Sequence, residues 1–317
     1  MSGPRSVRVF APATVANVAA GFDILGFAVG EPGDEVTARL AEQPGVRILR
    51  IEGDGGALPL EAERNTAGVA AREVLALAGR RGGIELEVRK RMPSGSGLGS
   101  SAASGVAAAV AVNALLGGPL RPEELLPALL EAERVACGTA HADNVAPALL
   151  GGFVLVRSYR PLDVVRLPTP AELWCALAHP QLEIRTADAR RILRDRVRLS
   201  DAVVQWGNTA GLVAGLLLGD YALIGRSLQD VIVEPVRAVL IPGFARIKEA
   251  ALDAGALGCS ISGSGPSVFA LARGAAAARA AGDAMASAVR GFGLPCDVWV
   301  SPLGGRGAHV VGAEDPS

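Results

Sequence analysis

A segment rich in glycine and serine, between a predicted strand and a predicted helix, has the composition of an anion-binding loop. Glycine at every second position lets the backbone turn its N–H groups inward without a Cβ clash. The N–H groups at the start of the helix that follows also favour negative charge. The segment therefore predicts a phosphate-binding loop in which Gly97 and Gly99 need a positive φ or a close backbone approach. Its residues are Pro93, Ser94, Gly95, Ser96, Gly97, Leu98, Gly99, Ser100, Ser101, Ala102 and Ala103.

Two serines near the end of this loop, Ser100 and Ser101, fall where a helix cap or a first-turn hydroxyl is expected. Such a hydroxyl can bind a phosphate oxygen or a magnesium ion. The loop is not a Walker loop, which needs lysine before its serine or threonine, and Ser100 replaces the third glycine of the dinucleotide fingerprint. Taken alone, a glycine-rich turn with a serine cap explains the segment as well.

Three further sets of polar residues could carry chemistry. They are Asn17 with Asp23, Glu133 with His141 and Asn144, and Thr186 with Arg190 and Arg237. Taken singly, the first two sets indicate turns or helix caps, and one arginine in so arginine-rich a chain indicates a surface charge. Arginine is also the residue that binds a carboxylate through two parallel N–H bonds.

Strands and helices alternate around these residues. The loop follows a strand over 84–90, and Asn65 marks the start of an earlier helix. Strands over 35–40 and 46–52 are predicted to pair with each other. A further helix is predicted over 275–290. Strand–helix alternation with antiparallel-looking pairs predicts two α+β domains.

Proline and glycine set the remaining boundaries. A first strand is predicted to end in a turn over 11–14, and a helix is predicted to be interrupted or kinked near Pro127. A stretch rich in proline and arginine after residue 156 predicts two domains, 1–156 and 157–317. Residues 304–317 are predicted to form a low-complexity tail.

Composition argues against several classes of partner. The 317 residues carry a net charge of −1, which argues against a nucleic-acid-binding surface. No apolar run reaches the ~20 residues of a membrane span, and the first ten residues lack the apolar segment of a signal peptide. Cys137, Cys175, Cys259 and Cys296 lack metal or redox spacing and are predicted to be reduced, mostly buried thiols. We therefore expect a soluble cytoplasmic protein without nucleic-acid or membrane partners.

The complete loop string resembles the phosphate loop of the GHMP kinases, which phosphorylate small molecules such as galactose, homoserine and mevalonate. Other segments are similar, in the same order, to the homoserine kinases, a branch of that family. They are 11–17 (Ala-Pro-Ala-Thr-Val-Ala-Asn), 21–26 (Gly-Phe-Asp-Ile-Leu-Gly), Glu133 with 141–147 (His-Ala-Asp-Asn-Val-Ala-Pro), 186–190 and 234–243. The loop over 262–265 resembles the last motif of the GHMP kinases as a whole. The first motif departs from the family pattern at Val15, Ala19 and Ala20.

The resemblance implies an α+β, two-domain GHMP kinase fold: an N-terminal kinase domain with a left-handed βαβ-type phosphate loop, and a ferredoxin-like C-terminal domain. It implies transfer of the γ-phosphoryl group of ATP to the side-chain hydroxyl of L-homoserine, with Mg²⁺, in threonine biosynthesis. It also implies a homodimer. Two alternatives stay open: another GHMP small-molecule kinase, and a non-catalytic binding protein with this fold.

The resemblance also implies a role for each candidate residue. Loop residues 93–103 bind ATP, and Asn65 lines the adenine pocket. Ser101 and Glu133 hold the metal, with Glu131 as the rival carboxylate. The substrate-binding residues that it implies are Asn17, Asp23, His141, Thr186, Arg190, Arg237 and Gly263. Asn144 is expected near the reacting hydroxyl, and Asp23 is either the general base or the partner of the substrate amino group.

Overall fold

The structure, a computed structural model, describes residues 4–314 apart from the side chains of Ala136 and Cys137. Its strands are β1 (Ser6–Ala16), β2 (Leu25–Ala41), β3 (Gly45–Glu52), β4 (Gly83–Arg89), β5 (Phe153–Tyr159), β6 (Leu162–Leu167), β7 (Leu173–Pro180), β8 (Gly258–Ile261), β9 (Val268–Arg273), β10 (Cys296–Pro302) and β11 (His309–Glu314). Its α-helices are α1 (Thr66–Leu77), α2 (Ser100–Leu115), α3 (Pro122–Cys137), α4 (Ala142–Leu150), α5 (Thr186–Arg191), α6 (Leu199–Leu218), α7 (Tyr221–Ser227), α8 (Glu234–Arg237), α9 (Phe244–Asp253) and α10 (Ala275–Arg290).

Seven strands form the first sheet, in the order β11-β1-β2-β4-β3, with β5 joined to β2 and β6 joined to β5. Apolar residues of β1, among them Val7, Val9 and Val15, are buried in the core beneath this sheet. Helix α2 packs against β1 and β2 and against α1 and α3. Seven of its sixteen residues are alanine and eleven are buried, which is the pattern of a central helix. The phosphate loop therefore lies at the N-terminal end of a helix enclosed in the core.

Four strands form the second sheet, in the order β10-β7-β9-β8, and all neighbouring strands are antiparallel. Along the chain, helices lie between β7 and β8, β9 follows β8 directly, and α10 lies between β9 and β10. This connectivity is that of a ferredoxin-like unit. Helix α10 lies on the sheet and packs against α9. The predicted ferredoxin-like C-terminal domain is confirmed.

Three local predictions are wrong. Residues 11–14, predicted as a turn, continue β1, because they lie opposite β2 in the antiparallel ladder. Strand β3 pairs in parallel with β4 instead of with β2, and α1 provides the crossover between them. Helix α3 passes through Pro127 without a break. The buried side chains of Leu125 and Leu129 on either side anchor this helix to the core.

The last described residues also differ from the prediction of a low-complexity tail. They form β11, which pairs with β1 at the edge of the first sheet. Strand β6 joins the same sheet through β5. The first sheet thus takes two strands from beyond residue 156, and the division of the chain at that residue stays a prediction.

Cys175, Cys259 and Cys296 are buried and form no disulfide with another described residue, as predicted. Burial raises the pKa of the Cys259 thiol to about 12, so this thiol is protonated at neutral pH. The Cys137 side chain lies outside the described part of the structure. Over residues 4–314, no helix has the length and apolar character needed to cross a membrane.

Candidate active site

A cavity of about 660 Å³ takes its walls from both halves of the chain. The predicted site residues that line it are Asn17, Asp23, Asn65, Ser94, Gly95, Ser96, Gly97, Leu98, Gly99, Ser100, Ser101, Ala102, Glu133, His141, Asn144, Thr186, Arg190, Arg237 and Gly263. Two loop residues predicted to bind ATP are absent from this wall. Pro93 lies before the part of the loop that lines the cavity, and Ala103 is buried in the core.

The glycines of the phosphate loop adopt backbone conformations that other residues avoid. Gly95, Gly97 and Gly99 have φ angles of 62°, 75° and 68°, in the left-handed region. A Cβ atom on Gly97 would lie 2.5 Å from the carbonyl oxygen of Ser262, and one on Gly99 would lie 2.1 Å from Thr14 Oγ1. The prediction that Gly97 and Gly99 need a positive φ is confirmed.

Four successive carbonyl groups of the loop accept hydrogen bonds from the surrounding protein. The pairs are Ile184 N to Gly95 O (3.2 Å), Ser267 N to Ser96 O (3.2 Å), Ser262 Oγ to Gly97 O (2.8 Å) and Thr14 N to Leu98 O (3.0 Å). A trans peptide directs the N–H of the next residue opposite to its carbonyl. The N–H groups of residues 96–99 therefore face away from these donors, as an anion-binding loop requires.

Helix α2 begins at Ser100, directly after Gly99. The hydroxyl of Ser100 donates to the carboxylate of Asp34 at 2.9 Å. The hydroxyl of Ser101 donates to Thr66 Oγ1 at 3.4 Å. Both serines line the cavity at the positive end of the helix. Ser101, the predicted metal ligand, therefore lies at the cavity wall, while the hydroxyl of Ser100 contacts Asp34.

A left-handed turn opens the first motif, since Asn17, Val18 and Ala19 have φ angles of 69°, 43° and 58°. This conformation is strained for a β-branched residue, so surrounding contacts must stabilise it. The Asn17 side chain donates to Gly263 O at 2.9 Å and accepts from Asp23 N at 3.1 Å. Asn17 thereby connects the first motif to the glycine-rich loop of the second half.

Helix α6 holds the same turn from the other side. Gln205 and Thr209 donate to the carbonyl oxygen of Ala20 at 3.1 and 2.7 Å. Gln205 also donates to Asp230, whose carboxylate accepts from the backbone N–H groups of 232–234. These N–H groups open α8, so one buried network positions both the first motif and the helix that carries the second predicted arginine.

The carboxylate of Asp23 and the guanidinium of Arg190 form a bidentate ion pair inside the cavity. Arg190 Nη2 lies 2.7 Å from Asp23 Oδ1, and Nη1 lies 3.1 Å from Oδ2. The Phe22 ring centroid is 5.4 Å from the guanidinium carbon of Arg190 and 5.2 Å from that of Arg237. Arg190 Nε is buried and has no hydrogen-bond partner among residues 4–314. The first-motif carboxylate and both predicted arginines therefore meet at one end of the cavity.

Arg237 is only 3% exposed. Its Nη1 donates to Gly263 O at 2.9 Å, and its Nε donates to Ala189 O at 3.3 Å. Burial, and then the positive charge of Arg190, lower the pKa of Arg237 to about 10. Arg237 is still protonated at neutral pH, and two neighbouring guanidinium groups favour an anion between them.

Glu133 of α3 is buried, and its Oε2 lies 3.5 Å from Nδ1 of His141. Burial alone would lower the pKa of His141, but the carboxylates of Glu133 and Asp143 outweigh burial and raise that pKa above its usual value. Glu131 lies outside the cavity wall, where it pairs with Arg134. The geometry therefore favours Glu133 over Glu131 as the carboxylate beside the phosphate loop.

Asp143 and Asn144 lie in the first turn of α4 and line the cavity. Asp143 is almost wholly buried, and its Oδ1 has no hydrogen-bond partner among the described residues. Burial, and then the negative charge of Asp23, raise the pKa of Asp143 to about 7. A protonated Asp143 avoids a second negative charge beside Asp23. Asn144 accepts from Thr14 Oγ1 at 2.8 Å and lines the cavity.

Asn65 and Thr186 stand at two other parts of the wall. Asn65 caps α1, accepting from Ala67 N and donating to Pro59 O, both at 3.0 Å. Both the oxygen and the nitrogen of its side-chain amide therefore bind backbone groups of the protein. Thr186 begins α5, and its Oγ1 lies 3.4 Å from Ser264 Oγ.

Comparison with known proteins decides the family. Residues 65–152 match the GHMP kinases N terminal domain, and residues 212–291 match the GHMP kinases C terminal domain. A homoserine kinase of Chlorobium phaeovibrioides is 54% identical over 97% of this chain and 100% of its own length. The chain belongs to the GHMP kinases, in the homoserine kinase branch.

Solved structures agree with this assignment. The crystal structure of homoserine kinase from Cytophaga hutchinsonii superimposes with a TM-score of 0.95 at 58% identity, covering 97% of this chain and 98% of that one. A mevalonate kinase of L. major superimposes with a TM-score of 0.71 at 16% identity, covering 96% and 99%, and shares the fold alone. The predicted two-domain GHMP kinase fold is confirmed.

Several residues that shape the site of this GHMP kinase were missed in the sequence. They are Lys90, Asp143, Glu183 and Arg185 in the wall and Thr14, Asp34, Gln205 and Asp230 behind it. Three of them could have been found from the sequence. Lys90 is one of only two lysines in the chain, and Thr14 and Asp143 lie inside the motifs over 11–17 and 141–147. The other missed residues belong to no motif found in the sequence.

Replacing Gly99 with Val is expected to weaken ATP binding by ~10- to 100-fold, because the loop must shift and lose charge-assisted hydrogen bonds to phosphate. Homoserine affinity should change less. Gly118, with a φ of 71° and no atom near its missing Cβ, supplies a control with the same backbone strain. Gly118→Val should lose stability but bind ATP normally. Calorimetry showing unchanged ATP affinity in a folded Gly99→Val protein would contradict the phosphate-cradle assignment.

Replacing Asp143 with Asn should make stability less dependent on pH. The raised pKa of Asp143 means that the folded protein binds a proton, between about pH 4 and 7, that the unfolded chain has released. The contribution of Asp143 to wild-type stability therefore falls as pH rises through this window, by up to ~1.4 kcal/mol per pH unit. An amide side chain does not titrate in this range, so the variant lacks this contribution.

Urea titrations at pH 5 and pH 8 measure this difference. The stability of Asp143→Asn relative to wild type should increase between the two pH values. Asp253→Asn, at an exposed position of α9, is the control and should track the wild type. A constant difference between Asp143→Asn and wild type would refute the raised pKa.

Proposed function

We propose that this GHMP kinase transfers the γ-phosphoryl group of ATP to the side-chain hydroxyl of L-homoserine, giving O-phospho-L-homoserine and ADP. The observation that carries the proposal is a single cavity in which the phosphate loop shares walls with Asp23, Arg190 and Arg237. An α-amino acid carries both charges that this set can pair, whereas a sugar carries neither. Likeness to homoserine kinases over nearly the whole chain supports the same substrate.

The phosphates of ATP lie, in this proposal, along the loop, where the N–H groups of residues 96–99 and the start of α2 favour negative charge. Leu58, Pro59 and Val88 line the same cavity, and Asn65 contacts Pro59. We assign adenine to these apolar residues. Phosphoryl transfer depends mainly on positioning and charge neutralisation, so the chain need supply little covalent chemistry.

The donor atoms at the cavity fit Mg²⁺. This ion takes few protein oxygens and completes its shell with phosphate oxygens and water. Ser101 contributes a hydroxyl and Glu133 a buried carboxylate, and both line the wall. We assign these two residues to hold the ion beside the loop, where it supplies charge neutralisation at the phosphate oxygens.

In this proposal, bound homoserine replaces the ion pair between Asp23 and Arg190. Its α-carboxylate pairs with Arg190 and Arg237, and its α-ammonium pairs with Asp23. No charge covered by the substrate is then left unpaired. The buried Nε of Arg190, without a partner among the described residues, offers one further donor. The remaining substrate contacts are assigned to Asn17, His141, Thr186 and Gly263.

Asn144 is assigned to the reacting hydroxyl. Its Oδ1 accepts from Thr14, which leaves its NH₂ group to meet the substrate oxygen. Both carboxylate oxygens of Asp23 accept from Arg190, which supports a binding role for Asp23 over proton removal. The hydroxyl proton then leaves to the phosphate or to water, as the loose transition state of phosphoryl transfer permits.

The proposal extends to the setting of the enzyme, a cytoplasmic homodimer in threonine biosynthesis that has no nucleic-acid partner. The family resemblance supports the dimer and the pathway, and the net charge of −1 supports the absence of nucleic acid. Sedimentation equilibrium of the purified protein measures the oligomeric state directly.

A coupled assay of ADP release tests the proposed function. With homoserine, mevalonate, shikimate and galactose as acceptors, homoserine should give the highest kcat/KM. A higher value with another acceptor would assign the chain to a different GHMP activity. Release of no ADP with any acceptor, under conditions where ATP binds, would favour a non-catalytic binding protein.

A further inference from the structure

A buried ion pair lies directly beneath the phosphate loop. Lys90 follows β4 at the entrance to the loop, and Asp34 lies on the neighbouring strand β2. The Lys90 ammonium pairs with the Asp34 carboxylate, and their side chains are only 4% and 0% exposed. Charges so deeply buried are tolerated only where hydrogen bonds satisfy the remaining donors and acceptors.

Lys90 meets this requirement with three acceptors. Its Nζ contacts Asp34 Oδ2, the carbonyl oxygen of Ser100 at 2.9 Å and Ser104 Oγ at 2.7 Å. An ammonium group has three N–H donors, so all of them are directed into protein although Lys90 lines the cavity. The planar fork of arginine does not match this arrangement. That mismatch explains a lysine at this position in a chain where only two of 31 basic residues are lysine.

Asp34 joins the two ends of the phosphate loop. Its Oδ1 accepts from the backbone N–H groups of Arg91 and Met92, at 2.9 and 3.3 Å, where the chain enters the loop. Its Oδ2 accepts from the hydroxyls of Ser100 and Ser104, at 2.9 and 3.1 Å, in the first turns of α2. One carboxylate therefore fixes the separation between the start of the loop and the helix that follows it.

We propose that Asp34 and Lys90 are positioning residues that hold the loop in its phosphate-binding conformation before ATP arrives. This inference rests on the proposed function, since it takes the loop to be the ATP site. Three glycines in left-handed conformations give the loop much freedom when it is not held. Ordering it in advance removes that entropy loss from the binding step. Neither residue contacts ATP; both act through the N–H groups of the loop.

The other lysine provides a matched control. Lys248 pairs with Glu234, which also accepts from Ser260 Oγ, and it is partly buried in the second half of the chain. It does not line the cavity. Removing the charge at either lysine breaks one ion pair, so both variants should lose stability. Only a variant at Lys90 should also lose ATP affinity.

The experiment measures Kd for ATP and for adenosine, which lacks phosphates, by calorimetry on the full chain. Lys90→Met is expected to raise the Kd for ATP at least tenfold and the Kd for adenosine less than twofold. Lys248→Met should lower Tm and leave both Kd values unchanged. Ser104→Ala removes one contact of the same cluster without leaving a charge unpaired, and should weaken ATP severalfold even if Lys90→Met does not fold.

Lys90→Arg separates positioning from direct contact. This variant keeps the positive charge but not the three-donor geometry, so it should weaken ATP binding as much as Lys90→Met does. Wild-type ATP affinity in Lys90→Arg, together with a loss in Lys90→Met, would make Lys90 a phosphate ligand and overturn the proposal. Unchanged ATP affinity in Ser104→Ala and in folded Lys90→Met would also overturn it. Failure of the wild-type protein itself to bind ATP would instead refute the proposed function.

Discussion

Glu133→Gln is expected to reduce kcat by ~10²- to 10³-fold, because a metal ion contributes several kcal/mol of charge stabilisation in the transition state. The substitution keeps the size of a side chain that is buried beside His141. The amide oxygen of Gln can still accept a hydrogen bond, so we expect the variant to fold. Turnover measured as a function of magnesium concentration should show a shift of the midpoint to higher concentration and partial recovery at saturation.

Glu131→Gln is the matched control for this experiment. Glu131 lies two residues away in the same helix, but it is outside the cavity wall and pairs with Arg134. This variant should keep wild-type turnover at every magnesium concentration. If Glu133→Gln kept full turnover at low magnesium, the metal assignment would be wrong. If its turnover were low and insensitive to magnesium, Glu133 would act through His141 instead.

The parts of the fold that could be predicted are those determined by residues close in sequence. The phosphate loop is recognisable from three alternating glycines, and the positive φ angles of Gly97 and Gly99 confirm what that spacing requires. Asn65 was predicted to start a helix and does cap α1. Helix α10 has the predicted bounds of 275–290. In each case the chemistry of a cap, a turn or an apolar periodicity acts within a few residues.

The parts that could not be predicted depend on contacts between distant segments. Residues 11–14 look like a turn because of Pro12, yet the ladder with β2 keeps them extended. The left-handed turn that contains Val18 is followed by Ala20, whose carbonyl oxygen accepts hydrogen bonds from Gln205 and Thr209, almost two hundred residues away. No local pattern indicates such a partner. For the same reason many residues that face the cavity could be predicted, although Lys90, Asp143, Glu183 and Arg185 were missed. Most of the residues that hold the site in place could not be predicted.

Asp23→Asn is expected to raise the KM for homoserine by ~10²-fold with a smaller change in kcat. In the structure the Asp23 carboxylate accepts three hydrogen bonds from Arg190. A carboxylate held in this way suits the substrate ammonium. Asp23 and Arg190 are partly exposed in the structure, but bound substrate would cover them, and the loss of one partner of a covered charge pair costs about 2–5 kcal/mol. A general base would behave differently, since it contributes ~10²- to 10⁴-fold to the rate through the transition state. Asp188→Asn, on the exposed side of α5, is the control and should leave both constants unchanged.

The selectivity of the Asp23→Asn variant separates the two roles of Asp23 further. 4-Hydroxybutanoate lacks the amino group of homoserine. If its carboxylate pairs with Arg190, the carboxylate of Asp23 is left without a cation. Wild-type protein should therefore discriminate strongly against this analogue. In Asp23→Asn no charge is left unpaired, and the ratio of kcat/KM for homoserine over the analogue should fall. A collapse of kcat with KM and selectivity unchanged would instead assign Asp23 to proton removal. A general base acts on the hydroxyl, which homoserine and the analogue share, so its loss would not change the discrimination between them.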